Sequence, residues 1–350
     1  MAERRVDVDA IRVVGVLAIV TIHVTGPFVA AGTTGETGPS YWIAEVAGAA
    51  ARVGVAAFFA LAGWAFLVHR PAPDDSAFLA RRLRRLVVPL IAWSVIYVVQ
   101  ILVVAALLGQ SAWPASLDGP GWLIRELSWI AFGPGVKYHL WFLYFLIAAM
   151  VALWLARSMP GRGGEVDAPP GAWARYGGVA FAALLVFGLA GAFRTPLTWT
   201  GFAWVIGYAA LGLFLLEGPH PSRRVGLALY VAAALAIAVL GRVVGYNHWP
   251  YFNQGPLAVL ATIGLFWALR GVTPSPALAR RLRSAAGLSF GIYLAHPLIL
   301  DYVRLAVVRD PVGELPGPLR LGLAWVVTMA ATTALVAVWH RSPRLVRLLG

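Results

Sequence analysis

One histidine within the first apolar segment carries the clearest chemical signal in the chain. His23 follows Asp9 and Arg12, and at 100° per residue the three side chains fall within about 60° of one another on a helix. An ionisable side chain inside an apolar span is costly and usually faces a protein interior or a wet cavity. Imidazole titrates near neutral pH, so His23 is suited to act as a general base. We expect a catalytic role for His23, with Asp9 paired to Arg12 on the same face.

A concentration of arginines before the third apolar segment forms a second candidate site. This arginine cluster consists of Arg81, Arg82, Arg84 and Arg85. Guanidinium groups bind phosphates through paired hydrogen bonds, so the cluster could hold a phosphorylated ligand. Clusters of this kind also set membrane orientation or contact anionic headgroups. The residue types alone leave both interpretations open.

Depth along the predicted helices brings further ionisable side chains to the level of His23. His23 lies roughly 21 Å along its helix from Asp9, past the middle of an apolar layer about 30 Å thick. Arg52 and His296 reach comparable depths, about 15 Å and 18 Å into their own spans. We interpret Arg52 as a cation that stabilises charge developing near His23. His296 has two interpretations, a structural core histidine or a supporting residue of the site.

Ordered sequence blocks resemble the acyltransferase-3 family of integral membrane acyltransferases. They begin with Asp9-x-x-Arg12, followed by a histidine eleven residues later, and span nearly the whole chain. The later blocks are Arg52-Val-Gly-Val-Ala-Ala-Phe-Phe-Ala-Leu-Ala-Gly63, Arg82-x-x-Arg85 before Pro89 and Trp93, His139-Leu-Trp141-Phe-Leu-Tyr144, and Ser289-Phe-Gly-Ile-Tyr293-Leu-Ala-His296-Pro297. Ala62 departs from the serine that the family commonly has before the glycine, so a role for that hydroxyl does not carry over. The blocks look closest to the stand-alone branch that modifies surface carbohydrates.

The resemblance implies transfer of an acyl group, usually acetyl, from a coenzyme A thioester to a hydroxyl or amine of a carbohydrate or cell-envelope acceptor. Acyl-CoA is then a substrate, and no permanently bound cofactor is expected. The arginine cluster would hold the donor's phosphates. The expected catalytic residues are His23, Asp9, Arg12 and Arg52, and the expected supporting residues are His139, Trp141, Tyr293 and His296. Direct transfer and transfer through an acylated histidine both stay open.

The elements that would position these residues are membrane helices. The 350 residues are 60% hydrophobic and only 12% charged, which is too apolar for a soluble globular domain. The chain has no cysteine, which excludes thiol nucleophiles, thiolate metal sites and disulfides. The histidines within apolar spans lack close carboxylate partners in sequence, so we expect no metal site. The net charge of +13 is spread between apolar runs, which argues against a nucleic-acid partner.

Apolar segments of about 20 residues predict an all-α, polytopic integral membrane protein with about ten transmembrane helices. The segments lie near 10–30, 42–68, 86–108, 139–157, 176–192, 198–216, 225–241, 253–270, 284–303 and 319–340. With the N-terminus in the cytoplasm, 19 basic residues fall in inside segments and seven in outside segments. This asymmetry predicts that both termini are cytoplasmic and that the protein spans the plasma or inner membrane several times.

The domain organisation is predicted to be a single transmembrane domain, 1–350. Its soluble parts would be an external loop at 109–138 and a flexible cytoplasmic linker at 158–174, which is rich in glycine and proline. A transporter or lipid flippase is the alternative function, because ten spans with buried arginine and histidine also suit a substrate or proton pathway. No clearly broken helix pair stands out in the sequence, which favours the acyltransferase.

Overall fold

The computed structural model describes residues 5–31, 38–68, 76–107, 136–158, 177–184, 186, 201–245, 248–308 and 315–350. Within these ranges the chain is all-α, with no strand. The helices are α1 (Val6–Ala31), α2 (Pro39–Ala50), α3 (Val53–Val68), α4 (Ser76–Leu107), α5 (Trp141–Ser158), α6 (Gly201–Glu217), α7 (Arg223–Val244), α8 (Pro256–Leu269), α9 (Pro276–Val303), α10 (Gly317–Trp339) and α11 (Pro343–Leu349). A short helical segment, 177–184, precedes α6. Most of the predicted loop 109–138 and linker 158–174 lies outside the described residues.

Seven helical stretches are long and apolar enough to cross a membrane, which confirms a polytopic membrane protein. They are Val6–Ala30, Pro39–Val68, Ser76–Val104, Arg223–Val244, Trp249–Leu269, Pro276–Ala306 and Gly317–Trp339. Two of the predicted spans correspond to shorter apolar helices, Trp141–Leu155 and Trp204–Glu217. The predicted span near 176–192 is described only over 177–184 and 186. The count of ten spans therefore stays a prediction.

Two helices start well before the apolar segments that predicted them. The apolar runs begin near 86 and 284, whereas α4 begins at Ser76 and α9 at Pro276. The intervening residues are rich in arginine. Arginine is a good helix former, and its long side chain can direct its charge into water while the backbone stays helical. Both helices consequently extend beyond the apolar layer at their arginine-rich ends.

A turn interrupts the long apolar stretch that the sequence predicts as one helix. α2 and α3 are separated at Ala51 and Arg52, where the amide of Arg52 bonds the Ala49 carbonyl at 3.2 Å and that of Gly54 bonds Ala51 at 3.0 Å. Hydrogen bonds that reach only three residues back tighten the backbone. The break places Arg52 at a helix junction, from which its guanidinium reaches Tyr251.

Small residues bring pairs of helices into backbone contact. A methyl group built on Gly63 of α3 would overlap Ala209 of α6, and one on Gly212 of α6 would overlap the Ala60 carbonyl. Gly226 of α7 meets the backbone of α8 in the same way. Association of helices in lipid depends on such close packing, because lipid tails are as apolar as the side chains. At these glycines, the backbones of α3 and α6, and those of α7 and α8, are in direct contact.

α1 lies in the middle of the bundle and carries His23 into its interior. It contacts α2, α3, α9 and α10, and Ile11, Ile19 and Val20 on it are fully buried. The indole of Trp325 on α10 donates a hydrogen bond to Thr21 at 2.9 Å. One face of α1, with Val13 and Leu17, is only half-buried, so neighbouring helices enclose α1 on most sides and leave this face toward the surroundings. Thr21, two residues before His23, faces a neighbouring helix.

Polar contacts join several helix ends at one end of the bundle, which we call the basic end. At this end α1 begins, and α6 and α8 end. Arg5 forms ion pairs with Asp7 at 2.8 Å and with Glu217 at 2.9 Å. The amide of Gly271 donates a hydrogen bond to the Asp7 carboxylate at 3.1 Å. The hydrogen bond with the Asp7 carboxylate raises the pKa of Arg5 above its ordinary value. Burial and then the neighbouring Arg5 lower the pKa of Arg270. Which side of the membrane this end faces stays a prediction.

Candidate active site

Three histidine rings from distant parts of the chain meet inside the bundle. His23 comes from α1, His139 from the turn that precedes α5, and His296 from α9. The rings of His23 and His296 are stacked, with centroids 5.2 Å apart and planes 22° apart. The ring of His139 meets that of His296 edge-on at 5.5 Å. The sequence singled out all three residues, and the structure brings them together as one histidine cluster.

The orientation of His296 follows from the proline that comes next in the chain. Pro297 has no amide hydrogen, so the carbonyl of Tyr293 has no helical donor four residues on. The Nδ1 of His296 takes that place and lies 2.7 Å from the Tyr293 oxygen. The neutral ring then carries its proton on Nδ1 and has an accepting lone pair on Nε2. This Nε2 is buried and has no hydrogen-bond partner among the described residues.

A second proline acts in a parallel way next to His23. Pro27 in α1 leaves the carbonyl of His23 without its helical donor. Arg304, which follows α9, donates to this oxygen from Nη2 at 2.5 Å. Its Nε is buried and lacks a partner within the described ranges. Because Pro27 has no amide hydrogen, the His23 carbonyl is free to accept from Arg304, and the guanidinium is held next to His23.

Arg52 approaches the same region from the junction of α2 and α3. Its Nη1 donates to the Tyr251 carbonyl at 3.3 Å, and its guanidinium lies over the Tyr251 ring, 4.7 Å from the centroid. The Tyr251 hydroxyl donates in turn to the buried carboxylate of Glu45. Both Arg52 and Arg304 are within electrostatic range of His23. Arg304 thus contacts the His23 backbone, and Arg52 acts on His23 through its charge.

His139 lies in an aromatic enclosure. Its side chain is 1% exposed, and its ring is 5.3 Å from those of both Tyr97 and Tyr293. The Tyr293 hydroxyl donates to the His139 carbonyl, which fixes the turn before α5. The backbone of Leu294 lies close to the His139 imidazole. Neither ring nitrogen, however, forms a hydrogen bond with any of the described residues. Buried polar groups without partners are rare and often belong to functional sites.

Polar residues lie on the side of the cluster away from the basic end. The Tyr138 ring is 4.7 Å from that of His23, and Tyr138 is 42% exposed. Its neighbour Lys137 forms an ion pair with Asp301 of α9, and Gln100 donates to the same carboxylate at 3.0 Å. These contacts hold the segment 136–140 against α9. Tyr138 is accordingly kept beside His23 by tertiary contacts.

The arginine cluster lies toward the basic end. Arg81, Arg84 and Arg85 are exposed, while Arg82 is half-buried. Arg82 donates to the Ala65 carbonyl at 3.1 Å, and it interacts electrostatically with Arg85 and with Arg12 of α1. Along α1, Arg12 and His23 are eleven residues apart, a rise of about 16 Å. The arginine cluster of α4 therefore lies near Arg12, and α1 connects that level to the histidine cluster.

Three of the residues expected at the site lie outside the histidine cluster, and one of them is Arg12, about 16 Å along α1 from His23. Asp9 is buried near the start of α1, about 21 Å along the helix from His23. The Trp141 ring packs against Phe59, Phe145 and Trp204, in the packing between α3, α5 and α6. Asp9 therefore belongs to the arginine-rich level of α1, and Trp141 contributes to the wall of aromatic residues beside the site.

Several residues of the site were not found by sequence reasoning. Arg304 falls in a predicted outside segment, and the spacing of Asp301, Tyr97 and Tyr138 gives no signal of a site. Pro27 gave a signal, because a proline four residues after a candidate histidine leaves that histidine's carbonyl unpaired. The donor to this carbonyl is Arg304, which follows α9, and spacing within α1 cannot identify it.

The histidine cluster differs from a metal centre in its geometry. No group of three or more histidine, aspartate or glutamate side chains in the described parts of the chain could hold a metal ion. The stacked arrangement of His23 and His296 also contrasts with ligands that direct nitrogen atoms at a common point. The imidazole nitrogens of this cluster could transfer protons. The guanidinium groups of Arg52 and Arg304 could stabilise negative charge.

Comparison with known proteins gives one match. A family model described as an acyltransferase domain, of the acyltransferase-3 type, matches residues 5–340. No curated protein and no solved structure matches the chain significantly. The matched range includes the histidine cluster, Arg52, Arg304 and the arginine cluster.

Proposed function

Because the chain belongs to the acyltransferase-3 family of membrane acyltransferases, we propose that it transfers an acetyl group from acetyl-CoA to a hydroxyl or amine of a carbohydrate or other cell-envelope acceptor. The observation that carries the proposal is the meeting of His23, His139 and His296 inside membrane helices. Buried ionisable groups at such a level also suit a transporter. Family membership favours the enzyme.

His23 acts as the general base in this proposal. Its imidazole takes the proton of the acceptor hydroxyl as the hydroxyl oxygen attacks the thioester carbonyl. The tetrahedral intermediate then collapses, the carbon–sulfur bond breaks, and the proton passes from His23 to the departing thiolate of coenzyme A. General-base assistance of this kind contributes typically ~10² to 10⁴ in rate.

Arg304 and Arg52 stabilise the negative charge that develops on the thioester oxygen. Arg304 is held by the His23 carbonyl at 2.5 Å, and Arg52 is held by Tyr251. Fixed donors aimed at a developing oxyanion lower the barrier, because they need no reorganisation during the reaction. Charge stabilisation by the two guanidinium groups complements the role of His23 as a base.

The arginine-rich level binds the donor. Arg82, Arg85 and Arg12 interact electrostatically, and like charges gathered in this way favour a bound anion such as a phosphate. The rise of about 16 Å from Arg12 to His23 separates the phosphate and thioester ends of the donor. Arginine-rich segments usually face the cytoplasm, where acyl-CoA is available. The protein accordingly spans the plasma or inner membrane with its basic end inside.

The acceptor approaches from the side of Tyr138. This ring is partly exposed and lies next to His23, and Lys137 and Asp301 add polar groups nearby. Carbohydrate sites combine an aromatic face with a few polar groups that fix orientation. The combination supports a sugar hydroxyl as the nucleophile.

The test compares acetyl transfer by membranes that contain the wild type, His23→Ala or His220→Ala. His220 is a matched control, because it is an exposed histidine near the basic end. We expect radiolabel from acetyl-CoA in envelope carbohydrate with the wild type and His220→Ala. The His23→Ala variant should lose activity by ~10² to 10⁴, with folding verified by size-exclusion profile.

Each other outcome has a definite meaning. Full transfer by His23→Ala contradicts the role of His23. Label that appears in protein or lipid and is absent from carbohydrate contradicts a sugar hydroxyl as the nucleophile. Absence of transfer by a folded wild type contradicts acetyl-CoA as the donor, and uptake of substrate under those conditions favours the transporter.

A further inference from the structure

A groove on the bundle surface lies between α1, α9 and α10, apart from the arginine cluster. Its volume is about 310 Å³, and seven of its ten lining side chains are apolar. They include Val13 and Val16 of α1, Leu288 and Ile292 of α9, and Met329 of α10. Val13, Leu288 and Met329 are half-buried, so the groove borders the surroundings of the bundle. An apolar groove on membrane-spanning helices faces hydrocarbon.

One end of the groove carries positive charge. Arg281 lines it near the start of α9, where it is exposed together with Arg280 and Arg283. Ser284, also part of the lining, adds a hydroxyl one turn further on. An exposed arginine near the end of a membrane helix lies at the level of lipid headgroups. The charged end of the groove is therefore suited to a phosphate.

The length of the groove matches one leaflet of a bilayer. From Arg281 to Ile292, α9 rises eleven residues, or about 16 Å. Half of an apolar layer about 30 Å thick is about 15 Å. The groove consequently extends from the headgroup level to near the bilayer centre, and Ile292 is one helical turn from His296.

We propose that this groove binds one acyl chain of an anionic phospholipid from the leaflet at the basic end, with the phosphate on Arg281. The match of charge to the headgroup and of apolar length to the chain supports this occupant. The pantetheine arm of coenzyme A fits poorly, because its amides would meet mostly apolar side chains. The bound chain spans α1 and α9, the helices that carry His23 and His296. The proposal does not depend on acyl transfer.

The test measures lipid selectivity by electron spin resonance on the purified full chain in bilayers. The probes are phosphatidylglycerol and phosphatidylcholine, each spin-labelled deep in one acyl chain. The variants are Arg281→Gln, its neighbour Arg280→Gln as the matched control, and two groove-filling changes, Ala285→Leu and Met329→Trp. Thermal unfolding verifies that each variant is folded.

We expect the wild type to immobilise phosphatidylglycerol in preference to phosphatidylcholine. Arg281→Gln should reduce this preference about fivefold, as expected for one cation near the headgroups. Arg280→Gln should keep most of it, and either groove-filling variant should lower the immobilised fraction of both lipids. Equal losses in the two arginine variants would overturn the proposal, as they indicate diffuse attraction. So would an unchanged immobilised fraction in both folded groove-filling variants.

Discussion

At the scale of single residues, two prolines determine what surrounds the candidate base. Pro27 and Pro297 each remove one amide from a helix, and each leaves one carbonyl to a side chain. The His23 carbonyl receives Arg304, and the Tyr293 carbonyl receives His296. A proline inside a helix costs stability, so its presence at both positions fits a requirement of the site. Because Pro27 and Pro297 have no amide hydrogen, the side chains of Arg304 and His296 bond these carbonyls and are held in fixed orientations.

Replacing Pro27 with alanine should separate stability from activity. The new amide can bond the His23 carbonyl within α1 and displace Arg304. We expect the midpoint of thermal unfolding to stay equal or rise, since a helix interior favours alanine over proline by about 3 kcal/mol. The rate of acetyl transfer should fall about tenfold or more, since misplacing an oxyanion donor has effects of this size.

Pro276→Ala is the control for this change. Pro276 is exposed and occupies the first turn of α9, where proline loses no helical hydrogen bond. Its replacement should alter neither property. If Pro27→Ala kept full activity, the contact between Arg304 and the His23 carbonyl would have no part in catalysis.

At the scale of helices, glycine sets the separation of α3 and α6. Gly63 and Gly212 lie where each helix meets the backbone of the other. α6 in turn carries Trp204, which packs with Trp141 and Phe59 next to the site. The spacing of this helix pair therefore determines how the aromatic wall is built.

A methyl group at position 212 should force this pair apart. Because the methyl group of Gly212→Ala would overlap the Ala60 carbonyl, we expect a loss of about 1 to 3 kcal/mol in stability, typical of overpacked cores. Thermal unfolding in detergent measures the effect. The control is Gly322→Ala on α10, which has open space around it. Equal stability of the two variants would show that α3 and α6 do not need this contact.

At the scale of the whole molecule, the arginines predict which end faces the cytoplasm. The chain has no cysteine, so a single introduced cysteine reports its own accessibility. His220→Cys lies near the basic end, and Gly38→Cys lies in an exposed position before α2. An impermeant thiol reagent applied to intact cells should label Gly38→Cys and spare His220→Cys until the membrane is opened. The reverse pattern would invert the topology and place the arginine cluster outside.

The sequence predicted the parts of the molecule that depend on local composition. Apolar runs located the membrane helices, and the cost of burying charge identified His23 and His296. The turn at Arg52 was not predicted, because the flanking residues are apolar throughout and the break satisfies a tertiary contact with Tyr251. Arg304 and Tyr138 were missed for the same reason, since their partners lie on other helices. Trp141 was expected to support the site; its ring packs with those of Phe59 and Trp204, and its role there stays a prediction.

The packed rings around His139 bear on ion leakage across the membrane. Tyr97, His139 and Tyr293 are each exposed by 3% or less, and the rings of Tyr97 and Tyr293 each contact that of His139. In the proposed reaction, a donor from one compartment and an acceptor from the other would meet beside this layer of packed rings. Protons cross membranes readily along continuous files of water, and tightly packed aromatic rings interrupt such a file. The two compartments would then be joined chemically while staying electrically insulated from each other.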